Sequence, residues 1–427
     1  MDIREAATEM KRISAQMAAS AHAARIEALK NAMQLLQDKK EEIFTANQKD
    51  LQRADVNGVS EAVKKRLRFD EGKLNDVCAG MEQMTELEDP LGRLELCREL
   101  DSGLVLRRVS VPIGVLGVIF EARPDALVQI ASLCIKSGNC ALLKGGSETR
   151  ETNAVLFSLM HASAVKAGLP ERCLVQADTH SQIDELLLCD DAVDLLIPRG
   201  SNAFVRYIME HTRIPVMGHA DGVCHTYVDA GADRNKALTI LPDAKLQYMA
   251  ACNATETLLI DTAYPGEAAR ELLEMLREKG IRLRGDERAR EFFAMEELCE
   301  DGYGHEYLDS ELSVRFVHGV DEAIAHINRY GSHHTDCIIT EDNAAAEKFF
   351  LLVDSAGVYH NASTRFADGF RYGFGAEVGI STGKLHARGP VGLAGLCTYK
   401  YTLSGQGHIV GDYASGRKDF HFRDISD

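Results

Sequence analysis

The chain has 427 residues, 45% of them apolar and 26% charged, with a formal net charge of −17. That length accommodates two or three domains with large buried cores, and the acidic balance excludes general nucleic-acid binding, which needs a basic footprint. The eleven cysteines are odd in number and show no C-x-x-C pairs, so free thiols in a reducing compartment are expected and a disulfide framework is not.

The N-terminus carries Asp2, Arg4 and Glu5 and no apolar core, so no secretory leader is expected. Residues 1–90 read as amphipathic helix rich in Ala, Glu, Lys and Leu, broken at Asn57-Gly58. From about 95 to 112 the alternation Leu104-Val105-Leu106-Arg107-Arg108-Val109 predicts an extended arm or hairpin. The apolar stretch Val109 to Phe120 is interrupted by Pro112, Gly114 and Gly117 and is too short to span a bilayer. A cytoplasmic protein with no membrane partner is expected.

Strands then alternate with helices. The first set of strands covers Gly114 to Phe120, Cys140 to Lys144, Cys173 to Gln176, Val193 to Ile197 and Val223 to Asp229, with helices such as Thr149 to Ala167 and Asn202 to His211 between them. A second set covers Thr257 to Ile260, Ile281 to Arg284, Leu312 to Val317, Cys337 to Thr340 and Val358 to His360, with helices Pro265 to Lys279, Val320 to Tyr330 and Asn343 to Val353. Such alternation implies right-handed βαβ units and mostly parallel sheets, hence an α/β fold of two domains.

Cys252 stands where a helical pattern (Asn235 to Ala251) gives way to a strand pattern (Glu256 to Ile260), among the small residues Ala250, Ala251 and Ala254. A low-pKa thiolate in such a place can attack a carbonyl and hold the acyl group as a thioester. Cys134, Cys140, Cys173 and Cys337 lie in apolar runs and read as small buried hydrophobes. Cys224 has His225 beside it, but strand neighbours point to opposite faces and make no dyad.

Three turns follow strands and open helices. Lys144-Gly145-Gly146-Ser147-Glu148 lets backbone approach an anion at a helix start, with Lys144 for a phosphate or ribose and Glu148 for a ribose hydroxyl; an ordinary βα turn is the alternative. Arg199-Gly200-Ser201 repeats this logic, and Glu121-Ala122-Arg123-Pro124 offers Arg123 to a phosphate or carboxylate or leaves it on the surface. The segment Asn361 to Phe366 presents Ser363 or Arg365 to a substrate carboxylate, or is simply a loop. His333-His334 has poor spacing for one metal centre and no H-E-x-x-H accompanies it, so no metal is expected.

Taken together, these segments resemble the γ-glutamyl phosphate reductases (glutamate-5-semialdehyde dehydrogenases) of the aldehyde dehydrogenase superfamily, over residues 10 to 415. The matching stretches are Val111 to Pro124, Lys144 to Glu148, Gly222 to His225, Cys252-Asn253, Ala323 to Asp336, Asn361 to Asp368, Gly375 to Thr382 and Leu385 to Pro390. The Ala323 to Asp336 stretch is specific to the reductases within that superfamily.

The resemblance implies an aldehyde-dehydrogenase-like α/β fold: a Rossmann-type NADP-binding domain (1–95 and 112–245), a catalytic domain (246–388) and an oligomerisation arm and tail (96–111 and 389–427). It implies that Cys252 is the nucleophile, that Lys144 contacts the adenosine ribose or its 2′-phosphate, and that Glu306 contacts the nicotinamide ribose. It also implies NADPH-dependent reduction of L-glutamyl 5-phosphate in proline biosynthesis, by a homo-oligomer supplied by a separate glutamate kinase. Another thioester-forming aldehyde or acyl-CoA dehydrogenase is the alternative. Two departures from ordinary aldehyde dehydrogenases stand out: His219-Ala220-Asp221-Gly222 replaces their Glu base, and Ala122-Arg123-Pro124 replaces their oxyanion Asn. The Cys252 backbone N–H and the Asn253 amide are then the expected oxyanion donors.

Overall fold

The computed structural model describes residues 2–177, 181–218, 221–300 and 302–425, without the side chains of Ala62 and Ser181. The chain forms two compact units, one of residues 1–217, 374–379 and 391–427, the other of residues 218–373 and 380–390.

The first unit begins with helices α1 (Ile3–Ala18), α2 (His22–Asp38), α3 (Lys40–Val56), α4 (Glu61–Leu67) and α5 (Glu71–Glu86). Buried Ile3, Ala6, Ala7, Met10, Ile13 and Met17 recur at helical spacing along α1, and Asp2 caps it by accepting from Glu5 N at 3.0 Å. Besides the expected break at Asn57-Gly58, the stretch is divided where Ser60 and Asp70 cap the next helices. Strands β1 (Leu94–Asp101) and β2 (Leu104–Pro112) pair antiparallel as the expected hairpin.

A four-stranded parallel sheet follows. It contains β3 (Val115–Phe120), β4 (Cys140–Lys144), β5 (Leu174–Ala177) and β6 (Leu195–Arg199) in the order β5-β4-β3-β6. Helices α6 (Pro124–Lys136), α7 (Arg150–Lys166), α8 (Ser181–Leu187) and α9 (Asn202–Glu210) accompany it. Every residue of β3 and β4 is buried, which is why those strands read as continuous apolar runs.

The second unit holds a seven-stranded sheet of β7 (Cys224–Val228), β8 (Thr255–Asp261), β9 (Arg282–Gly285), β10 (Glu296–Glu297), β11 (Glu311–Val317), β12 (Thr335–Ile339) and β13 (Gly357–His360). Its order is β10-β9-β11-β8-β7-β12-β13 and its ladders are parallel. Helices α10 (Arg234–Leu246), α11 (Gly266–Glu278), α12 (Glu287–Phe292), α13 (Gly319–Tyr330) and α14 (Asn343–Leu352) cover it. Leu258, Ile260 and Val314 pack beneath α10 and α11, while Leu259, Val317 and Ile338 pack beneath α13 and α14. Side chains alternate between the two cores along each strand.

Two expectations are corrected here. The stretch 223–229 belongs to this sheet and not to the first, because β7 is hydrogen-bonded between β8 and β12; the units therefore divide at 217/218, not at 245. The helix expected to reach Ala251 ends at Leu246, where Lys245 is drawn to Glu256 of β8 at 2.6 Å.

Short strands β14 (Gly379–Ser381) and β15 (Gly389–Val391) pair with each other. β16 (Cys397–Ser404) and β17 (Arg423–Asp424) complete the antiparallel arm in the order β16-β2-β1-β17. A short helix, α15 (Val410–Ala414), lies between them in sequence. Among the described residues no helix is long and apolar enough to cross a membrane.

Candidate active site

In the first unit, the three expected turns stand together at the carboxyl ends of adjacent strands β4, β3 and β6. Lys144 is buried as the last residue of β4. Gly145 is packed closely there, since a Cβ would lie 2.1 Å from Nδ2 of the buried Asn153, and at Gly146 a Cβ would have to displace the Glu148 carboxylate. Glu148 folds back over Gly146 and accepts from Ala122 N at 2.6 Å. Ser147 to Thr149 form a single 3-10 turn before α7 begins at Arg150.

At the start of α7 the expected anion site is occupied by one of the protein's own carboxylates. Asp50 of α3 accepts from Glu151 N at 3.2 Å, Thr152 N at 2.8 Å and Thr152 Oγ1 at 2.7 Å, which caps α7 from outside. Glu121 accepts from Ser201 N at 3.0 Å over Gly200, at the start of α9. Arg123 is exposed at the N-cap of α6, and Arg199 is half-buried at the end of β6. Beside the Lys144 turn lies a cavity of about 250 Å³ lined by Arg53, Asn57, Ser147, Glu148 and Arg150. Arg53 pairs with Asp50 and, at 3.7 Å, with Glu151. The buried Asn153 Oδ1 has no hydrogen-bond partner.

In the second unit, Cys252 lies ahead of β8, so it stands at the amino edge of its sheet. It occupies a tight turn closed by Ala254 N donating to Ala251 O at 2.9 Å. Cys224 Sγ donates to the Cys252 carbonyl at 3.3 Å. Cys252 itself is half-buried. The buried Arg365 donates from Nε to Gln247 Oε1 at 2.9 Å and lies 5.9 Å from the centre of the Tyr248 ring. Burial and then Arg371 pull the Arg365 pKa below its ordinary value, while Cys252, Asp368 and Asp243 pull it back up.

Other expected residues are already engaged. Asn253 is buried and its Nδ2 donates to Ala367 O at 2.9 Å, so this amide secures the 364–367 turn; its Oδ1 is unpartnered. Ser363 Oγ accepts from Arg365 N at 3.3 Å and caps the same turn. Asn361 binds Thr340 through both ends of its amide, at 2.9 Å and 3.1 Å. Thr340 follows the carboxyl end of β12, so Asn361 stands about one strand length from the amino edge where Cys252 sits, at ~3.3 Å per residue.

Glu306 is half-buried ahead of β11, at the same amino edge as Cys252. It acts on Glu256, whose carboxyl is pushed up to about 7 by burial, with Glu306 adding to the rise and Lys245 opposing it. His219 and Ala220 lie outside the described residues.

Seven of the eleven cysteines are buried: Cys134, Cys140, Cys173, Cys189, Cys224, Cys337 and Cys397. Burial drives their thiols up, Cys134, Cys173 and Cys337 to about 12, so they remain protonated and inert. Cys252 shares partial exposure with Cys78, Cys97 and Cys299, and among these four its place in the turn ahead of β8 sets it apart. Sequence reasoning missed Asp50, Glu121, Gln247 and the Lys245–Glu256 pair. Each of these acts on a partner brought near by the fold, and only Lys245 and Glu256, which flank Cys252, had a positional signal.

An aldehyde dehydrogenase family model matches residues 1–288. The gamma-glutamyl phosphate reductase of Acetivibrio thermocellus is 51% identical over 420 residues, covering 98% of this chain and 97% of that protein. That of Pelotomaculum thermopropionicum is 52% identical over 426 residues, covering 100% and 98%. The crystal structure of gamma-glutamyl phosphate reductase from Thermotoga maritima matches with a TM-score of 0.93 at 35% identity, covering 96% of this chain and 100% of that one. With two parallel α/β units, a half-buried cysteine ahead of a strand and this similarity along nearly its whole length, the chain belongs to the aldehyde dehydrogenase family and, within it, to the gamma-glutamyl phosphate reductases.

Proposed function

We propose that the chain reduces L-glutamyl 5-phosphate to L-glutamate 5-semialdehyde through a thioester on Cys252, with NADPH as reductant. The observation that carries this reading is the half-buried Cys252 on a braced turn that the neighbouring Asn253 ties to the turn bearing Arg365, while seven other thiols are buried. The Cys252 thiolate attacks the acyl carbon and phosphate leaves; as a good leaving group it needs no strong acid. The Cys252 backbone N–H is the proposed donor to the developing oxyanion. When bound, the reduced nicotinamide supplies hydride. The thiohemiacetal on Cys252 then expels its sulfur as thiolate and releases the aldehyde. Activated water would only hydrolyse the thioester. The buried carboxylates Glu256 and Asp336 are committed to Lys245 and His225 and do not serve as its base.

The cofactor turns fit a dinucleotide. Gly145 is packed against the buried Asn153, and the cavity beside the turn carries Arg53 and Arg150 together with the carboxylates of Asp50 and Glu148. Lys144 would hold the adenosine ribose or its 2′-phosphate, and Arg150 is a further candidate for that phosphate. Because Asp50 already accepts from the start of α7, side chains or the first amides of α9 would neutralise the phosphates. Arg199 and Arg123 are the remaining candidates, and Glu306 the one for the nicotinamide ribose. A separate glutamate kinase would supply the acyl phosphate. The exposed Tyr399, Tyr401 and Leu403 of edge strand β16 support joining of copies through the arm.

The test is phosphate-dependent NADP+ reduction with glutamate 5-semialdehyde. Cys252→Ala should abolish turnover and leave NADPH binding intact. Residual activity above a few per cent, or activity that requires CoA in place of phosphate, would reject the reading.

A further inference from the structure

The segment after α13 grips the strand that lies beside the Cys252 turn. Ser332 accepts from Val223 N through Oγ at 2.8 Å, and its own N–H donates to Val223 O at 3.3 Å. Four residues on, Asp336 accepts from His225 N at 2.7 Å and contacts His225 Nδ1 at 3.0 Å, while Ser355 Oγ donates to its other oxygen. His225 and Asp336 are fully buried. These bonds fix the backbone from 223 to 225 on both sides of Cys224, whose Sγ donates to the Cys252 carbonyl.

Gly222 lies one residue upstream, pressed against Cys252. A Cβ there would fall 2.2 Å from Cys252 O and 2.5 Å from Cys252 Cα, both backbone atoms that cannot swing aside. The turn that presents the sulfur is thus seated on Gly222 and Cys224, and their position is set by Ser332.

We propose that Ser332 is a positioning residue for Cys252: by clamping Val223 it seats Gly222 and Cys224 under the nucleophile's backbone. This rests on the reading of Cys252 as the nucleophile. It gives the reductase-specific Ala323 to Asp336 stretch a mechanical part in catalysis, although Ser332 does not touch substrate.

The test uses the full chain and compares Ser332→Ala, Ser332→Thr and Gly222→Ala. Two quantities are read per folded molecule: the rate of Cys252 alkylation by iodoacetamide, followed by peptide mass spectrometry, and steady-state kcat and KM. Ser332→Ala should shift the alkylation rate and lower kcat by about tenfold, a change equivalent to one hydrogen bond, with the KM for dinucleotide unchanged. Ser332→Thr, which keeps the hydroxyl, should restore both. Gly222→Ala should lower kcat by about a hundredfold by displacing the sulfur. If Gly222→Ala does not fold, the two Ser332 variants decide the matter. A Ser332→Ala chain that alkylates and turns over like wild type overturns the proposal, as does a loss that only follows the melting temperature. A wild-type chain without acyl-phosphate reductase activity would sink the reading of Cys252 instead, and the alkylation comparison would still report on Ser332.

Discussion

At the scale of single residues, Arg365 is the side chain proposed to hold the substrate carboxylate, in the turn that Asn253 ties to the Cys252 segment. A planar guanidinium can make paired charge-assisted bonds that an ammonium cannot. Arg365→Lys should raise the KM for the acyl phosphate by roughly tenfold to a hundredfold, the range for one lost hydrogen bond to a charged group, with the KM for dinucleotide unchanged. Steady-state kinetics with each substrate varied in turn checks this, and a rise in the dinucleotide KM alone would place Arg365 elsewhere. Cys252 and Arg365 could be singled out in the sequence because residue type and position at a strand boundary suggest a chemistry for each. Asn253, Ser363 and Asn361 were equally visible, but what each one binds was not. Asn253 reaches Ala367 and Asn361 reaches back to Thr340, and no local pattern names such partners.

At the scale of elements, α10 and β8 are joined by the fully buried Lys245–Glu256 pair, which brackets the Cys252 turn. Burial moves both groups toward neutrality, raising Glu256 and lowering Lys245, so the pair specifies a junction at a desolvation cost. Lys245→Met alone should destabilise the chain by about 3–5 kcal/mol, whereas Lys245→Met with Glu256→Leu should be near neutral or stabilising. Denaturant unfolding of the three proteins measures both.

The same pair has a pH signature. The Glu256 carboxyl titrates at about 7 in the folded chain against its ordinary 4.5, so across that window the folded chain holds the extra proton. Its contribution to stability is therefore full below about 4.5 and is lost as the pH rises to about 7. Glu256→Gln should flatten that part of the profile of Tm against pH.

At the scale of the whole molecule, the strands were legible as apolar runs bounded by turn residues, but the sheet to which each belongs was not. The run 223–229 looks like its predecessors, yet its buried His225 and Thr226 find partners in Asp336 and Thr255 on β12 and β8, and so it sorts into the second unit. The distribution of thiols gives a global check. Under native conditions iodoacetamide should modify Cys78, Cys97, Cys252 and Cys299 and spare the seven buried cysteines, and in denaturant all eleven should react. Native labelling of Cys134 or Cys140 would contradict the packing of the first unit. A last consequence follows from Asp50, which caps α7 from a helix about a hundred residues upstream. Anyone transplanting residues 140–166 into a foreign scaffold as a portable nucleotide-binding cassette would carry every glycine and lysine across and leave behind the carboxylate that closes the helix. The graft would fray at its first turn until an equivalent acid was built in.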